Sequence, residues 1–303
     1  MTTRSLADGV DRRSVPWIAV AAIAAAVALV ALVAVARCVW ELPAVASFVA
    51  RYPGVAPAPA SVGTPVWVVA LHALNLFFLV QIVASGWAVR TAQRPIGHWT
   101  PRRRRRGAGG SITLEQWFHV ALDLAWLTAG VVYVVALFAT GRWVRLVPTS
   151  WEIVPNAASV ALQYLSLHPA PQDSWVAYNA LQQLTYCGVV FVLAPVAAFT
   201  GWRLSSLWPA WAGVDRWLPK EPVRRVHFAA MVCFVAFVVV HVSLVVIDGP
   251  VQLLNHMFAG RDDDSLVGVL VLAAVVAVSA GAVAAARPIV LRTVAGFTGK
   301  VTR

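Results

Sequence analysis

The chain has 303 residues, of which 60% are hydrophobic and only 12% are charged. Soluble domains carry about 25% charged residues, so this composition excludes an ordinary water-soluble globular protein. The net charge of +11 does not indicate nucleic-acid binding, because most basic residues lie in short segments between apolar runs, where they orient membrane helices.

Six apolar runs have the length of about 20 residues that crosses a bilayer. They occupy residues 17–39, 65–89, 115–140, 177–202, 224–247 and 266–286. We therefore predict an all-α fold, a polytopic transmembrane helical bundle. The first run follows two arginines, as a signal peptide would, but it is too long for a signal-peptide core and lacks a clear cleavage site. We expect it to be a retained helix.

Positive charge alternates between the segments that join the spans. The N-terminus, residues 90–114, residues 203–223 and the C-terminal tail are rich in Lys and Arg, whereas the other joining segments are poorer. By the positive-inside rule, both termini are expected in the cytoplasm of a bacterial-type cell membrane. The densest run, Arg102 to Arg106, is expected to lie near anionic lipid. The longest outer segment, 141–176, is predicted to be partly helical and fits a surface or docking role.

Three short pairs are predicted to end spans. Ser85–Gly86, Thr140–Gly141 and Thr200–Gly201 each lie near the end of an apolar run. Glycine is favoured just past a helix C-terminus, so we interpret all three pairs as helix ends.

Four histidines lie inside the spans: His72, His119, His227 and His241. Ionisable side chains are costly in hydrocarbon and usually functional. His227 and His241 are fourteen residues apart, which is about four helical turns and about 21 Å of rise. Both rings are therefore predicted on one helix face at two depths. This gap is too long for a direct proton relay and suits two metal centres stacked across a bilayer.

The predicted topology sorts these histidines into two pairs by depth. His72 and His241 lie toward the outer side, and His119 and His227 toward the inner side. Zinc takes four protein ligands, or three and a water. Two neutral imidazoles on opposite helices instead suit a haem iron, because the porphyrin supplies the other four nitrogens. The alternative at this point is four unrelated histidines, each bonded to a neighbouring helix.

The chain resembles the membrane cytochrome b subunits of formate dehydrogenase, nickel–iron hydrogenase, thiosulfate reductase and related molybdopterin oxidoreductases. The resemblance covers roughly 65–260 and rests on LHALNLFFLVQIVASG, EQWFHVALDLAW, the Thr–Gly pairs and RRVHFAAMVCFVAFVVVHVSL. It implies a four-helix core with two haem b groups. By resemblance, the axial pairs are His72 with His241 and His119 with His227, and the third core helix supplies no ligand.

The same resemblance implies a function and an organisation. The chain would exchange electrons between the quinone pool and a separate oxidoreductase subunit, a molybdopterin or iron–sulfur protein. Residues 1–64 would form an N-terminal tail, an extra helix and an outer loop, and 65–260 the cytochrome core. Residues 261–303 would form a second extra helix and a cytoplasmic tail. Besides these extra spans, the chain departs from the formate dehydrogenase subunit because its core enters the membrane from outside.

Further polar residues are candidates for roles beside the cofactor. Asp123 lies one turn after His119 and fits three alternative roles. It could orient the second ring nitrogen of His119, exchange protons with a quinone, or form packing hydrogen bonds. Guanidinium binds carboxylates well, so the candidates for haem propionates are Arg142, Arg145, Arg203, Arg224 and Arg225. One face of the fourth span carries Asn179, Gln182, Gln183 and Tyr186, and fits a quinone headgroup, a propionate or interhelical hydrogen bonding.

A small transporter or channel is the competing hypothesis. It would use the intramembrane histidines for protons or metal ions. Transporters often show internal repeats and helices broken near the midplane, and neither feature is evident in this sequence. No residue is assigned a catalytic role, and whether the chain is itself an enzyme stays open at this point.

Overall fold

The computed structural model describes residues 15–55, 61–102, 110–168, 170, 173–209 and 213–302. Arg4, Arg12 and Arg13, on which the topology partly depends, lie outside the described residues. So do Arg103 to Arg106 and the terminal Arg303.

The six predicted spans are confirmed as helices of membrane-crossing length. Their bounds are Ala19–Trp40, Val66–Thr91, Leu114–Ala139, Ala180–Leu204, Lys220–Asp248 and Val267–Ala285. They contain the helices α1 (Val15–Trp40), α3 (Val66–Thr91), α4 (Leu114–Ala139), α6 (Ala180–Gly188), α7 (Ala194–Leu204), α9 (Lys220–Asp248) and α11 (Val267–Ala285). A π-helical turn, Val189–Leu193, joins α6 to α7.

Shorter helices lie between and after the spans. They are α2 (Pro43–Arg51), α5 (Ile153–Leu165), α8 (Val214–Trp217), α10 (Pro250–Leu254) and α12 (Pro288–Thr298). The helix α5 confirms that the segment 141–176 is partly helical. A 3-10 turn covers Arg142–Arg145, and a second π-helical turn, Asn255–Ala259, follows α10.

The chain divides into two units. The first contains residues 1–57, 150–172 and 179–184. In it α1, α2 and α5 contact one another, and Ile153, Ala157 and Ala180 form a small apolar core. The ring of Trp40 stacks on His168, with centroids 4.1 Å apart.

The second unit holds the other spans, except for residues 180–184 at the start of α6. There α3 packs against α4, α7 against α9, and α11 against α3. Gln81 of α3 is buried and donates from Nε2 to the Ser279 carbonyl of α11 at 2.9 Å. An apolar helix has few ways to satisfy a buried amide, so this bond fixes where α11 sits on α3.

The helix α9 presents one face to the protein. His227, Phe234 and His241 are half-buried at a spacing of seven residues, whereas most positions between them on the other side are exposed. Seven residues are close to two turns. The prediction that both α9 histidines leave the same face is confirmed.

The second unit also contains a small sheet that the sequence analysis did not predict. Strands β1 (His98–Pro101), β2 (Ile112–Thr113) and β3 (Gly299–Thr302) pair antiparallel in the order β2-β1-β3. Trp99 pairs with Ile112 on one side and with Val301 on the other. Strands of four residues or fewer leave little alternation to detect, and β1 pairs with a partner about 200 residues away.

Of the three small-residue pairs, only Thr140–Gly141 ends a helix. The helix α4 begins with a capping box, in which Thr113 and Gln116 exchange side-chain-to-backbone hydrogen bonds. It ends at Thr140 and Gly141, whose φ of 71° suits glycine. Ser85–Gly86 and Thr200–Gly201 lie inside α3 and α7, so their interpretation as helix ends is wrong.

Candidate cofactor site

His119 and His227, predicted toward the inner side and called the inner histidines below, face each other within the second unit. His72 and His241 are called the outer histidines. His119 on α4 and His227 on α9 have ring centroids 6.3 Å apart, with ring planes at 85°. Two imidazoles that bind one metal ion from opposite sides, each through a bond of about 2 Å, place their centroids about 6 Å apart. The separation therefore fits one metal ion between the rings.

Each inner ring is held on its Nδ1 side by a hydroxyl of a neighbouring helix. Ser85 Oγ lies 2.9 Å from His119 Nδ1, and Thr200 Oγ1 lies 3.0 Å from His227 Nδ1. Ligating histidines usually bond their other ring nitrogen to the protein, which fixes the ring orientation. Both rings thus have a fixed Nδ1 edge and an Nε2 edge directed away from the bond.

The glycine after each hydroxyl residue leaves space for the ring. A Cβ on Gly86 would lie 3.1 Å from His119 Cε1, and one on Gly201 would lie 3.1 Å from His227 Cε1. These distances are shorter than ordinary van der Waals contact. An alanine at either position would therefore require the imidazole to shift by a few tenths of an ångström.

The outer histidines are held differently. Tyr186 OH lies 3.4 Å from His241 Nδ1. His72 Nδ1 is buried and has no hydrogen-bond partner among the described residues. The edge of His72 meets the ring of Phe258, with centroids 4.9 Å apart.

Asp123 does not orient the second nitrogen of His119, because Ser85 occupies that position. Its carboxylate Oδ2 lies 3.6 Å from His119 Nε2, which is longer than a hydrogen bond. It also interacts electrostatically with His227. Asp123 is therefore a half-buried carboxylate at the level of the inner rings, on the Nε2 side of His119.

The predicted propionate-binding arginines fall into two groups. Arg145 is buried and donates to the backbone carbonyls of Ser61, Ser174 and Trp175. Arg203 is 1% exposed, donates to the Leu218 carbonyl and forms an ion pair with Asp215. Both guanidinium groups are therefore committed to the chain. Arg224 and Arg225 are exposed and pair with Glu221 on their own helix.

Arg142 is the best placed of the five arginines for an anion. It donates to Ser61 Oγ at 2.9 Å and to the Gly63 carbonyl. Burial, with the neighbouring Arg145 guanidinium, lowers the pKa of Arg142. It lines a small cavity together with Tyr133 and Tyr178. An anion in this cavity would offset the repulsion between the two guanidinium groups.

The polar residues of the fourth span do not line one common site. Asn179 and Gln182 exchange side-chain-to-backbone hydrogen bonds of 3.0 and 2.9 Å, which cap the start of α6. Asn179 and Gln183 are both 4% exposed. Tyr186 instead faces His241.

One buried histidine outside the spans, His256, was not predicted from the sequence. His256 is 3% exposed and lies between Ser174 Oγ, 3.0 Å from Nδ1, and Asp262 Oδ1, 2.8 Å from Nε2. Its position in a joining segment gave no signal of burial. Among the described residues, no group of three or more His, Cys, Asp or Glu side chains is arranged to hold a metal ion.

The fold and the inner imidazole pair define a multi-pass helical membrane protein with facing histidines inside the bundle. A family model described as prokaryotic cytochrome b561 matches residues 63–260. The chain belongs to this family and is a cytochrome b561-type membrane haem protein, which confirms the resemblance to membrane b-type cytochromes.

One relative gives a more specific likeness. The putative protein-methionine-sulfoxide reductase subunit YedZ1 of Azospira oryzae is 30% identical over 192 residues, which cover 60% of this chain and 88% of the relative. No solved structure matches the chain.

Proposed function

We propose that this protein is a di-haem b-type cytochrome that carries electrons between the quinone pool and a separate oxidoreductase. The observation that carries the proposal is the facing pair His119 and His227, 6.3 Å apart between ring centroids. Each ring is fixed at Nδ1 by a hydroxyl and has a glycine beside it. When bound between them, haem b would supply one-electron redox chemistry with no open coordination position.

The second haem is proposed between His72 and His241. Supporting it, His241 lies on the same face of α9 as His227, fourteen residues further along, which is about 21 Å of rise. The two sites would then lie one above the other across the bilayer.

Other residues take proposed supporting roles. Arg142 fits an outer propionate, because it lines a small cavity with Arg145, where an anion would offset the repulsion between the two guanidinium groups. Arg145 and Arg203 support the site through backbone carbonyls instead, and Arg224 and Arg225 stay candidates at the inner surface. For quinone chemistry, Asp123 and Tyr186 are better placed than Asn179 and Gln182, since the latter two cap a helix.

The partner is proposed from the likenesses. The relative's name describes it as a subunit of a putative protein-methionine-sulfoxide reductase. We infer that this chain likewise serves a separate oxidoreductase, a molybdopterin or iron–sulfur protein on the outer face. The cytochrome core would be 65–260, flanked by the extra segments 1–64 and 261–303, with both termini in the cytoplasm of a bacterial cell.

The test is a haem count with a reduced-minus-oxidised spectrum of the purified protein. We expect a b-type α-band and about two haems per chain. His227→Ala should remove one haem and keep the other, and the matched control His168→Ala should keep both, because His168 stacks on Trp40 in the other unit. Two haems retained in His227→Ala would contradict the pairing. Reduction of the haems by a quinol would support the quinone role, and its absence would argue against it.

A further inference from the structure

The pairs Ser85–Gly86 and Thr200–Gly201 have a common geometry. Ser85–Gly86 lies in α3 against His119 of α4, and Thr200–Gly201 lies in α7 against His227 of α9. In each pair the hydroxyl lies 2.9 or 3.0 Å from Nδ1. In each pair a Cβ on the glycine would lie 3.1 Å from Cε1 and 3.7 Å from Nδ1. Two separate helix pairs thus hold the two inner rings in the same way.

The hydroxyl hydrogen is already used in both pairs. Ser85 Oγ donates to the Ile82 carbonyl at 3.1 Å, and Thr200 Oγ1 donates to the Val196 carbonyl at 2.6 Å. A hydroxyl has one hydrogen and two acceptor lone pairs. Since the hydrogen points to the helix carbonyl, each oxygen must accept the hydrogen bond from its imidazole.

This direction sets the tautomer of both histidines. Nδ1 must carry the proton, so Nε2 keeps its lone pair for a metal ion. Ser85 and Thr200 are 5% and 6% exposed, so water competes little for these bonds. The outer rings lack this arrangement, because Tyr186 is 3.4 Å from His241 Nδ1 and His72 Nδ1 has no partner among the described residues.

We propose that Ser85 and Thr200 are positioning residues that hold both inner imidazoles in the Nδ1–H form and lower the reduction potential of the inner haem relative to the outer one. The inference rests on the proposed function. An imidazole that donates from Nδ1 to a fixed acceptor is a more basic ligand, and a more basic ligand favours ferric over ferrous iron. Gly86 and Gly201 allow this by leaving the rings in reach of the hydroxyls.

The experiment is a redox titration of the b-type absorption in Ser85→Ala and Thr200→Val. Each variant should raise the reduction potential of the same haem. The expected change is up to about tenfold in the equilibrium constant for reduction, which is about 59 mV for one electron. The other haem should keep its potential, and its absorption also reports that the variant is folded. Ser85→Thr and Thr200→Ser retain the hydroxyl and should restore the wild-type potential.

The remaining small-residue pair, Thr140–Gly141, provides a matched control. Thr140 Oγ1 bonds to the Ala136 carbonyl at 2.7 Å, like Thr200 to Val196, but ends α4. Thr140→Val should therefore shift neither potential. For the glycines, Gly86→Ala and Gly201→Ala should deplete the inner haem only. The control Gly281→Ala should deplete neither haem, because a Cβ there meets no described atom within 4 Å and α11 lies outside the helices that carry the four histidines.

Two sets of outcomes separate this inference from the proposed function. If wild-type protein holds two haems and the histidine variants each remove one, unchanged potentials in Ser85→Ala and Thr200→Val would overturn the inference alone. A shift of different haems by the two variants would also overturn it. If the wild-type protein holds no haem pair, the proposed function itself fails.

Discussion

The ring of Trp126 meets the ring of Phe234 edge to face, with centroids 6.3 Å apart. Each residue lies seven positions after an inner histidine, and Phe234 lies seven before His241. The contact between α4 and α9 is therefore midway between the two histidine levels. An aromatic layer at this depth would separate the two proposed haems and keep both helices at the spacing that the inner rings require.

Asn75 should support this layer. Trp126 Nε1 donates to Asn75 Oδ1 at 2.9 Å, and interhelical hydrogen bonds in membranes contribute about 0.6 kcal/mol on average. Asn75→Ala should lower the free energy of unfolding by about that amount without loss of haem. The measurement is a double-mutant cycle with Trp126→Phe by unfolding in detergent. If the two variants were additive, the hydrogen bond would contribute nothing.

Asp262 should make stability depend on pH. The hydrogen bond from His256, with a second from Gln252, lowers the pKa of the Asp262 carboxyl. Its folded pKa then lies below the unfolded value of about 3.9. The carboxylate therefore stabilises the fold above that pH, and the contribution is lost as pH falls through the folded pKa.

Thermal unfolding of Asp262→Asn against pH checks this. The variant should melt below wild type near neutral pH, and the difference should shrink in acid. Asp264→Asn, at an exposed neighbouring position, serves as the control and should match wild type throughout. A difference between Asp262→Asn and wild type that stayed constant down to about pH 3 would contradict the assignment.

Gly268 should be intolerant of any side chain. Its N–H donates to Asn255 Oδ1 at 2.6 Å, and a Cβ there would overlap the Leu254 backbone. Overpacking typically costs about 1–3 kcal/mol, so Gly268→Ala should destabilise the protein by that order. Gly281→Ala on the same helix is the control, because a Cβ there meets no described atom within 4 Å. Equal melting temperatures for the two variants would rule out the close packing of α11.

The spans and the facing histidines could be predicted because both follow from strong constraints. A bilayer requires long apolar runs, and an imidazole inside such a run demands a partner. The seven-residue spacing of His227, Phe234 and His241 also predicts that these three residues share one helix face. The spans and the shared face are properties of single helices, which is why they could be predicted from the sequence.

Contacts between helices were less predictable. Ser85 and Thr200 lie near span ends, so they were interpreted as terminators, while their hydroxyls hold rings on neighbouring helices. Asp123 is one turn from His119, and one of its three predicted alternatives was to orient the second ring nitrogen, but Ser85 occupies that position. The spacing of residues along one helix does not show which side chain of a neighbouring helix lies next to a ring nitrogen. The pairing of β1 with β3 escaped prediction for the same reason.

The most direct test of the central claim is the haem content of four single variants, measured against resolved redox transitions. His119→Ala and His227→Ala should abolish the same transition, and His72→Ala and His241→Ala should abolish the other. Each variant should retain one haem with its wild-type potential nearly unchanged. Loss of different transitions by His119→Ala and His227→Ala, or of none, would contradict a haem held between α4 and α9.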